Sequence, residues 1–377
     1  MNVLQVLTLV TPDGAYGGPA RVAFNQATEI RAQGHSVTIT GACRGYSEPP
    51  ESLYGTPVRL FNAKQLVPLT GHAGIAAPSA LYWMFTNRRD IDVLHVHLGR
   101  DLVSMPAALL ALFLRKRLVV QTHGMIVRSR HLIAPILDRL LTRPILRRAD
   151  VVLYLTDKER DDLLEVEPAI SAQALPNGVP PSPPLAMAHQ GDVEVLYLAR
   201  LHERKRPALF VETARELLAE GVGARFTLIG PDGGEGEKVR EAIDKDNDAA
   251  KSIMWEGSLP PEETADRMAQ ASIYVLPSVD EPFSMSVLEA MAVGLPVVIT
   301  ESCGLADTVR ANGCGIVVDH SQDALTAAVR TLIENPPLRK TMGDAGRKTA
   351  QADFSMDAIG RSLLTAYGLA KELDSPR

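Results

Sequence analysis

Short apolar runs alternate with longer segments of helical period along nearly the whole chain. In the first half the strand candidates are VLQVLTLV, SVTITGA, VRLFNA, DVLHVH, LVVQTH and VVLYLT; in the second they are VEVLYLAR, RFTLIG, SIMWEG, IYVLPS, PVVIT and GIVV. These runs are near-continuously apolar and do not alternate strictly, which predicts strands buried on both faces, as in parallel sheets covered by helices. Two such series, each separated by helical patterns, predict two doubly wound α/β domains.

The series part at PNGVPPSPPLAM, Pro176 to Met187, where prolines at 176, 180, 181, 183 and 184 resist both helix and sheet. The expected division is residues 1–178, a proline-rich linker at 179–187, and a second domain at 188–355. A last helical pattern, Met356 to Leu373, lies beyond the final strand and could pack on either domain. A length of 377 residues suits two such domains.

Composition changes this picture little. With 46% hydrophobic and 22% charged residues the chain reads as an ordinary soluble globular protein. Its three cysteines, Cys43, Cys303 and Cys314, are far apart and odd in number, so a reducing cytoplasm is the simpler expectation. MNVLQVLTLVTPDG lacks a basic n-region and reads as a first strand, not a signal peptide. The longest uncharged run, Leu66 to Asn87, is broken by Pro68, Gly71, Gly74 and Pro78 and predicts no membrane span.

Charge is more informative. The formal net charge is −6, yet residues 80–148 hold 12 basic and 4 acidic side chains. That excess suggests an anionic partner for the first half, with peripheral association of the 80–148 region with an anionic membrane as one form of it. Within it, HLIAPILDRLLTRPILRR carries apolar residues at 132, 133, 136, 137, 140, 141 and 145 beside Arg139, Arg143 and Arg147. The pattern is that of an amphipathic helix, although Pro135 and Pro144 argue against a single straight one. A core-packing helix with a solvated face explains the same pattern. No nucleic-acid partner is expected.

Four stations carry candidate chemistry. Gly14, Gly17 and Gly18 form a glycine-rich turn after the first strand, feeding a helix with Pro19 in its first turn; such a turn can hold an anion or simply be tight. Arg200 ends a strand and Lys205 precedes the next helix, at the edge where open parallel sheets bind ligands. His123 ends the strand VVQTH; His95 and His97 end the strand before it. His-x-His alone is weak evidence for a metal, and no matching ligand spacing accompanies it, so none is expected.

The fourth station is EPFSMSVLEAMAVG. Glu289 stands in a run, Ser284 to Thr300, with no other charge, and an unpaired buried carboxylate costs several kcal/mol. A helix starting near Ser284 would aim the amides of Ser284, Met285 and Ser286 at the ligand edge. Glu281 would sit in the loop before it. A carboxylate satisfied by internal partners is the plain alternative for Glu289; loop, helix start and second acid together favour a ligand.

In this order the stations resemble the retaining glycosyltransferases of the GT4 family, with the two-domain GT-B fold. The likeness runs through GG and GHSVTIT, THG, PNGV, ARLHERK, LIGPDG, EGSLP and EPFSMSVLEAMAVGLPVV, the last being the most specific because it fits the family's Glu-x7-Glu pattern. The resemblance implies two Rossmann-like domains facing across a cleft, the first for the acceptor and the second for the donor, with the last helix returning to the first domain. It implies retaining transfer of a sugar, hexosyl in type, from a UDP- or GDP-linked donor to a sugar or lipid-linked acceptor, with no cofactor and no metal. Such a reaction would serve polysaccharide or glycolipid synthesis, in the cytoplasm or at the inner face of the membrane.

By the same resemblance, Arg200 and Lys205 would bind the diphosphate, helped by the amides of Gly17, Gly18 and the Ser284–Met285–Ser286 turn. Glu289 would hold the ribose and Glu281 the donor sugar. Ser258 and Leu259 would meet the base, Gly230 would line the donor site, and His123 would help position the sugar. Reaction would proceed by same-face displacement in which the leaving phosphate assists deprotonation of the acceptor. Three positions depart from the family pattern: Pro282–Phe283–Ser284 where Gly–Phe–Gly is common, Ala199 where glycine usually precedes the arginine, and Arg206 where glycine usually follows the lysine. A nucleotide-sugar 2-epimerase of the same architecture ranks lower because Glu-x7-Glu with Arg and Lys is present. A non-catalytic binder is disfavoured by retention of Arg200, Lys205 and Glu289, and a dehydrogenase by the missing G-x-G-x-x-G.

Overall fold

The computed structural model describes residues 1–12, 17–67, 71–128, 134–181, 193–245, 252–260 and 263–369. By internal contacts the chain divides into two compact units, Met1–Gly178 with Met356–Arg377, and Val179–Ser355.

The first unit is built on strands β1 (Asn2–Val10), β2 (Ser36–Cys43), β3 (Ser52–Leu53), β4 (Thr56–Asn62), β5 (Lys64–Gln65), β6 (Ile75–Ala76), β7 (Val93–His97), β8 (Arg117–Gln121), β9 (Val151–Tyr154) and β10 (Ala172–Ala174). Eight of them form one sheet in the order β10-β9-β8-β7-β1-β2-β4-β3, parallel except where β3 meets β4, while β5 and β6 make a small hairpin. Strand period two sends Val3 and Leu7 to one face and Leu4 and Val6 to the other, and both faces are buried. Each such side chain contributes about 1.5–3 kcal/mol of burial.

Helices α1 (Gly17–Ala32), α2 (Pro78–Thr86), α3 (Ser104–Phe113), α4 (Ala134–Leu137), α5 (Arg143–Arg148) and α6 (Asp157–Val166) cover these faces. Met84, Met105, Ala108, Ile145, Leu146 and Leu163 pack from α2, α3, α5 and α6 on one face, and Ala23, Phe24, Ala27 and Ile30 from α1 on the other. Thr156 caps α6 by accepting from the Glu159 amide.

The strand run VVLYLT is β9, and the other five runs of the first half are likewise strands; β10, with the sequence AQA, has no apolar run to announce it. The two-proline helix is continuous after all. Between α4 and α5 residues Asp138–Thr142 form a π turn, in which the Arg143 amide donates to the Asp138 carbonyl. Pro144 has no N–H to offer Leu140, and the wider turn makes room for its ring. The apolar stripe is split: Ile145 is buried and Leu137 and Leu141 half-buried, but Ile136 and Leu140 are 60% and 65% exposed. Leu132 and Ile133 lie outside the described residues.

The second unit has strands β11 (Val193–Leu198), β12 (Ala224–Ile229), β13 (Ile253–Trp255), β14 (Ile273–Leu276), β15 (Val297–Thr300) and β16 (Gly315–Val318), one for each apolar run expected there. They form an all-parallel sheet in the order β13-β12-β11-β14-β15-β16. The direction of winding reverses between β11 and β14, which is where such sheets open a ligand crevice. Its helices are α7 (Pro207–Ala219), α8 (Gly236–Asp244), α9 (Thr264–Met268), α10 (Met285–Val293), α11 (Ala306–Asn312), α12 (Gln322–Glu334) and α13 (Pro336–Asp353). Proline occupies the first turn of α7 and α13, and Gly294 ends α10 in the left-handed region, φ 103°. Val179, expected as the first linker residue, is buried and donates to Phe354 O at 2.9 Å, so it belongs to the second unit. Residues 182–187 of the expected linker lie outside the described residues.

The last helix, α14 (Met356–Ala366), belongs to the first unit, where Met356, Ile359, Leu363 and Tyr367 join α1 in one core. It stops seven residues short of the expected end at Leu373. Gly368, φ 86°, donates to Thr365 O, and Leu369 donates to Leu364 O, a turn that caps the helix C-terminus. Residues 370–373 lie outside the described ones.

Candidate functional site

Four of the sequence-predicted donor groups gather at the winding reversal of the second unit. Arg200 follows β11, Lys205 ends the 3-10 turn Glu203–Lys205, Glu281 follows β14, and Ser284 caps α10. Lys205 Nζ donates to Glu281 Oε2 at 2.5 Å, a pair only partly open to solvent. Ser284 Oγ accepts from the Val287 amide at 3.5 Å, so α10 opens at Met285, one residue from the expected start. Met285 and Ser286 thus form its first turn, whose amides carry the positive end of the helix dipole.

The loop bearing Glu281 is strapped from both sides. Val279 donates to Arg204 O at 2.8 Å and the Arg204 guanidinium donates to Asp280 O. On the other side the Asp280 amide donates to Ser302 Oγ at 3.1 Å, and Gly304 donates to Glu281 O at 2.8 Å. Asp280 is held at φ 48°, a left-handed conformation uncommon for a side-chain-bearing residue. Glu289, in the second turn of α10, is 7% exposed. Beneath it the Tyr274 hydroxyl lies 2.7 Å from Ser286 Oγ and 3.0 Å from Leu198 O. Burial, with the charges of Glu289 and Glu281 nearby, pushes the Tyr274 phenol well above its usual range. Burial likewise raises the Cys303 thiol to about 11, so this cysteine is no nucleophile.

One family departure acquires a physical meaning. Arg206, standing for the usual glycine, adopts φ 50° between the 3-10 turn and α7, the conformation glycine would take freely. Gly230 has φ 146°, and a Cβ there would meet Ala199 O at 2.0 Å. Its amide donates to Gly257 O and its carbonyl accepts from Trp255 Nε1, so its backbone polar groups are spent on the fold. Arg200 lies across the same turn, because a Cβ on Gly233 would fall 2.7 Å from its Cδ. Ser258 and Leu259 follow β13, two strands away from Arg200.

Gly17, Gly18 and His123 are in the first unit. Gly17 opens α1 after β1, and Gly14 of the same turn lies outside the described residues. His123 follows β8 at φ 52°, with Gly124 also left-handed at 72°. Glu159 holds this bend from both sides. Its Oε1 accepts from Thr122 Oγ1 and from the Gly124 amide, each at 2.5 Å, and its Oε2 accepts from Leu155 at 2.6 Å. Burial raises the Glu159 carboxyl, and these three donors pull it back. His123 Nε2 lies 2.7 Å from His97 Nδ1, and His95 Nδ1 lies 2.8 Å from the Tyr367 hydroxyl of the segment after α14. Burial lowers His95 and His123 to about 3 and His97 well below the usual range, so the three rings are neutral. Among the described residues no group of three or more His, Cys, Asp or Glu side chains is arranged to hold a metal.

Glu159, Tyr274, Arg204 and Asp280 were not singled out from sequence. Each acts through a partner distant in the chain or through backbone geometry, which no local pattern announces.

Residues 187–349 match the family described as glycosyl transferases group 1, and residues 17–178 match the glycosyl transferase 4-like domain. The chain belongs to the group 1 glycosyl transferases. Relatives of this family member include a D-inositol 3-phosphate glycosyltransferase of Kineococcus radiotolerans, 30% identical over 59% of this chain and 58% of that protein. They include also a glycogen synthase of Mycobacterium tuberculosis, 26% identical over 98% of this chain and 95% of that protein. The match thus spans little more than half of the first relative and nearly all of the second. Among solved structures, the sucrose-phosphate synthase of Thermosynechococcus elongatus superposes with a TM-score of 0.77 at 20% identity, covering 98% of each chain. Anabaena HepE, in complex with UDP and glucose, gives 0.76 at 16% identity, covering 98% of this chain and all of that one. At these identities the likeness establishes the fold: this group 1 glycosyl transferase has the two Rossmann-like units of GT-B.

Proposed function

We propose that this group 1 glycosyl transferase moves a sugar, hexosyl in type, from a nucleoside-diphosphate donor to a hydroxyl acceptor with retention at the anomeric carbon. The observation that carries this reading is the Lys205–Glu281 pair at the winding reversal, beside the capped start of α10. An arriving diphosphate competes with Glu281 for Lys205. The carboxylate so released accepts from hydroxyls of the donor sugar, while Arg200 and the first turn of α10 meet the remaining phosphate charge. Glu289 accepts from the ribose hydroxyls, which explains a carboxylate on an otherwise uncharged helix.

In the reaction the bond from the anomeric carbon to the phosphate oxygen breaks and a bond to the acceptor oxygen forms on the same face. The acceptor proton passes to the leaving phosphate. Arg200, Lys205 and the helix dipole stabilise the charge that develops there, and no metal ion is required by this reading. A UDP- or GDP-linked sugar is the donor class; that HepE was seen with UDP and glucose, and that the relatives named above carry sugar-transferring names, supports it.

The first unit takes the acceptor, and its basic surface favours one carried by a membrane lipid. In the helix from α4 to α5, Ile136 and Leu140 are exposed beside Arg139, Arg143 and Arg147, which are exposed too. Apolar and cationic groups on one helix face suit the interface of an anionic bilayer at the cytoplasmic side. Among the described residues no helix is long and apolar enough to cross a membrane.

The decisive experiment heats the protein with a panel of nucleoside-diphosphate sugars and records which raises its melting temperature, then follows product. One donor should shift the transition by several degrees, and Arg200→Ala and Glu289→Ala should each abolish the shift. Retained shifts in both variants count against this site. Release of an epimerised nucleotide sugar, with no transfer to any acceptor, counts against the reaction.

A further inference from the structure

We propose that His97 fixes the tautomer of His123, so that His123 presents an Nδ1–H donor to a bound oxygen and does not act as a base. The argument starts from geometry. His97 Nδ1 and His123 Nε2 are 2.7 Å apart, the ring planes are within 10° of parallel, and the centroids are 5.0 Å apart. The centroid separation is about the nitrogen distance plus one ring radius on each side, so the rings lie end to end in one plane. A single proton therefore sits on the line between them.

Two arrangements share that proton, because neither ring is charged. In one, His97 Nδ1–H donates to His123 Nε2. In the other, His123 Nε2–H donates and the proton of His97 must reside on its Nε2. His97 is 1% exposed, and its Nε2 has no hydrogen-bond partner among the described residues. The second arrangement thus buries an N–H with nothing to accept it, at a cost of about 1–3 kcal/mol. The first leaves only a bare acceptor lone pair, the milder defect. His97 is consequently the donor, and the proton of His123 is on Nδ1.

His123 is half-buried, and its one ring hydrogen bond among the described residues is the contact of Nε2 with His97, which leaves Nδ1 for a ligand. The left-handed bend and the Glu159 clamp hold the backbone that carries it. A fixed N–H of this kind recognises a hydroxyl or phosphoryl oxygen. That the oxygen belongs to a sugar rests on the sugar-transfer reading; the tautomer does not. His97 is in this account a positioning residue, acting through His123 and touching no ligand.

The test is a long-range proton–nitrogen correlation spectrum of the full chain with 15N-labelled histidine at pH 7. His123 should show a protonated Nδ1 and a bare Nε2; a protonated Nε2, or a doubly protonated ring, overturns the proposal. His97→Asn keeps an N–H donor near the position of Nδ1 and should preserve both the His123 pattern and most of the turnover. His97→Phe removes the donor and should change the pattern, with kcat falling about tenfold or more. An unchanged His123 pattern in His97→Phe overturns the role of His97. Because the wild-type spectrum needs no substrate, a chain that transferred no sugar would sink the functional reading and leave the tautomer standing or falling by itself.

Discussion

Glu159 shows what a single side chain can fix. Three donors reach it from two loops, and the residue it brackets, His123, keeps a backbone conformation that histidine rarely adopts. Glu159→Gln turns one acceptor oxygen into an NH2 group, so at least one of those donors loses its acceptor whichever way the amide is turned. The expected loss is about 1–3 kcal/mol of unfolding free energy, read from urea titration, with the His123 spectrum broadened or shifted. Equal stability for the two proteins would show that the clamp carries no load. Nothing in the sequence pointed here: Glu159 is an ordinary acid on a polar helix, DKERDDLLEV, and its partners are up to 37 positions away. Lys205 and Glu281 stand out in the sequence by their places just before a helix at the ligand edge of the sheet, but they are 76 positions apart and nothing local announces that they pair.

At the scale of elements, the apolar runs predicted strands well because parallel strands buried on both faces must be continuously apolar. They failed at β10, an edge strand of three residues whose AQA sequence needs no such run. Helical periodicity found the segment around Pro144, but a π turn shifts the register within it, so residues that share a regular stripe part company. Asp138, the first residue of that turn, takes Arg100 in a two-pronged pair at 2.8 and 2.9 Å, and Arg100 also donates to Val127 O. The turn is thereby anchored to the loop that follows β8. If the outward face of this helix meets lipid, the protein should float with vesicles containing anionic phospholipid at low salt and not with neutral ones. Replacing Arg139, Arg143 and Arg147 together by Gln should remove most of the flotation, with each charge worth about 1 kcal/mol near such a surface. Flotation that ignores these changes, or is absent from anionic vesicles at low salt, refutes that assignment.

For the whole molecule, three neutral imidazoles, two of them fully buried, tie stability to pH. Their folded-state values lie below 6.5, so in acid the unfolded chain takes up protons that the folded chain refuses. Their contribution is complete above pH 6.5 and is lost as pH falls from there toward 3. At pH 5 the loss is about 2 kcal/mol for each fully buried ring. His95 and His97, 0% and 1% exposed, should carry most of it. Urea midpoints at pH 7, 6 and 5 should fall in step, and the fall should belong to the first unit. A midpoint constant over that range contradicts the neutral histidine row. The carboxylate of Glu194 in the second unit acts elsewhere: burial opposes its ionisation, but Arg267 and Thr227 hold it below 4.5, so its contribution is lost only in stronger acid.

The placement of α14 has a consequence for synthesis. A ribosome releases the first 178 residues, then the whole of the second unit, and only then the helix whose Met356, Ile359, Leu363 and Tyr367 complete the earlier core. The second unit can therefore mature while the first waits with one face of its sheet incompletely covered. The hydroxyl that reaches His95 is delivered only after the second unit has been made, so the histidine row of the first unit is set late.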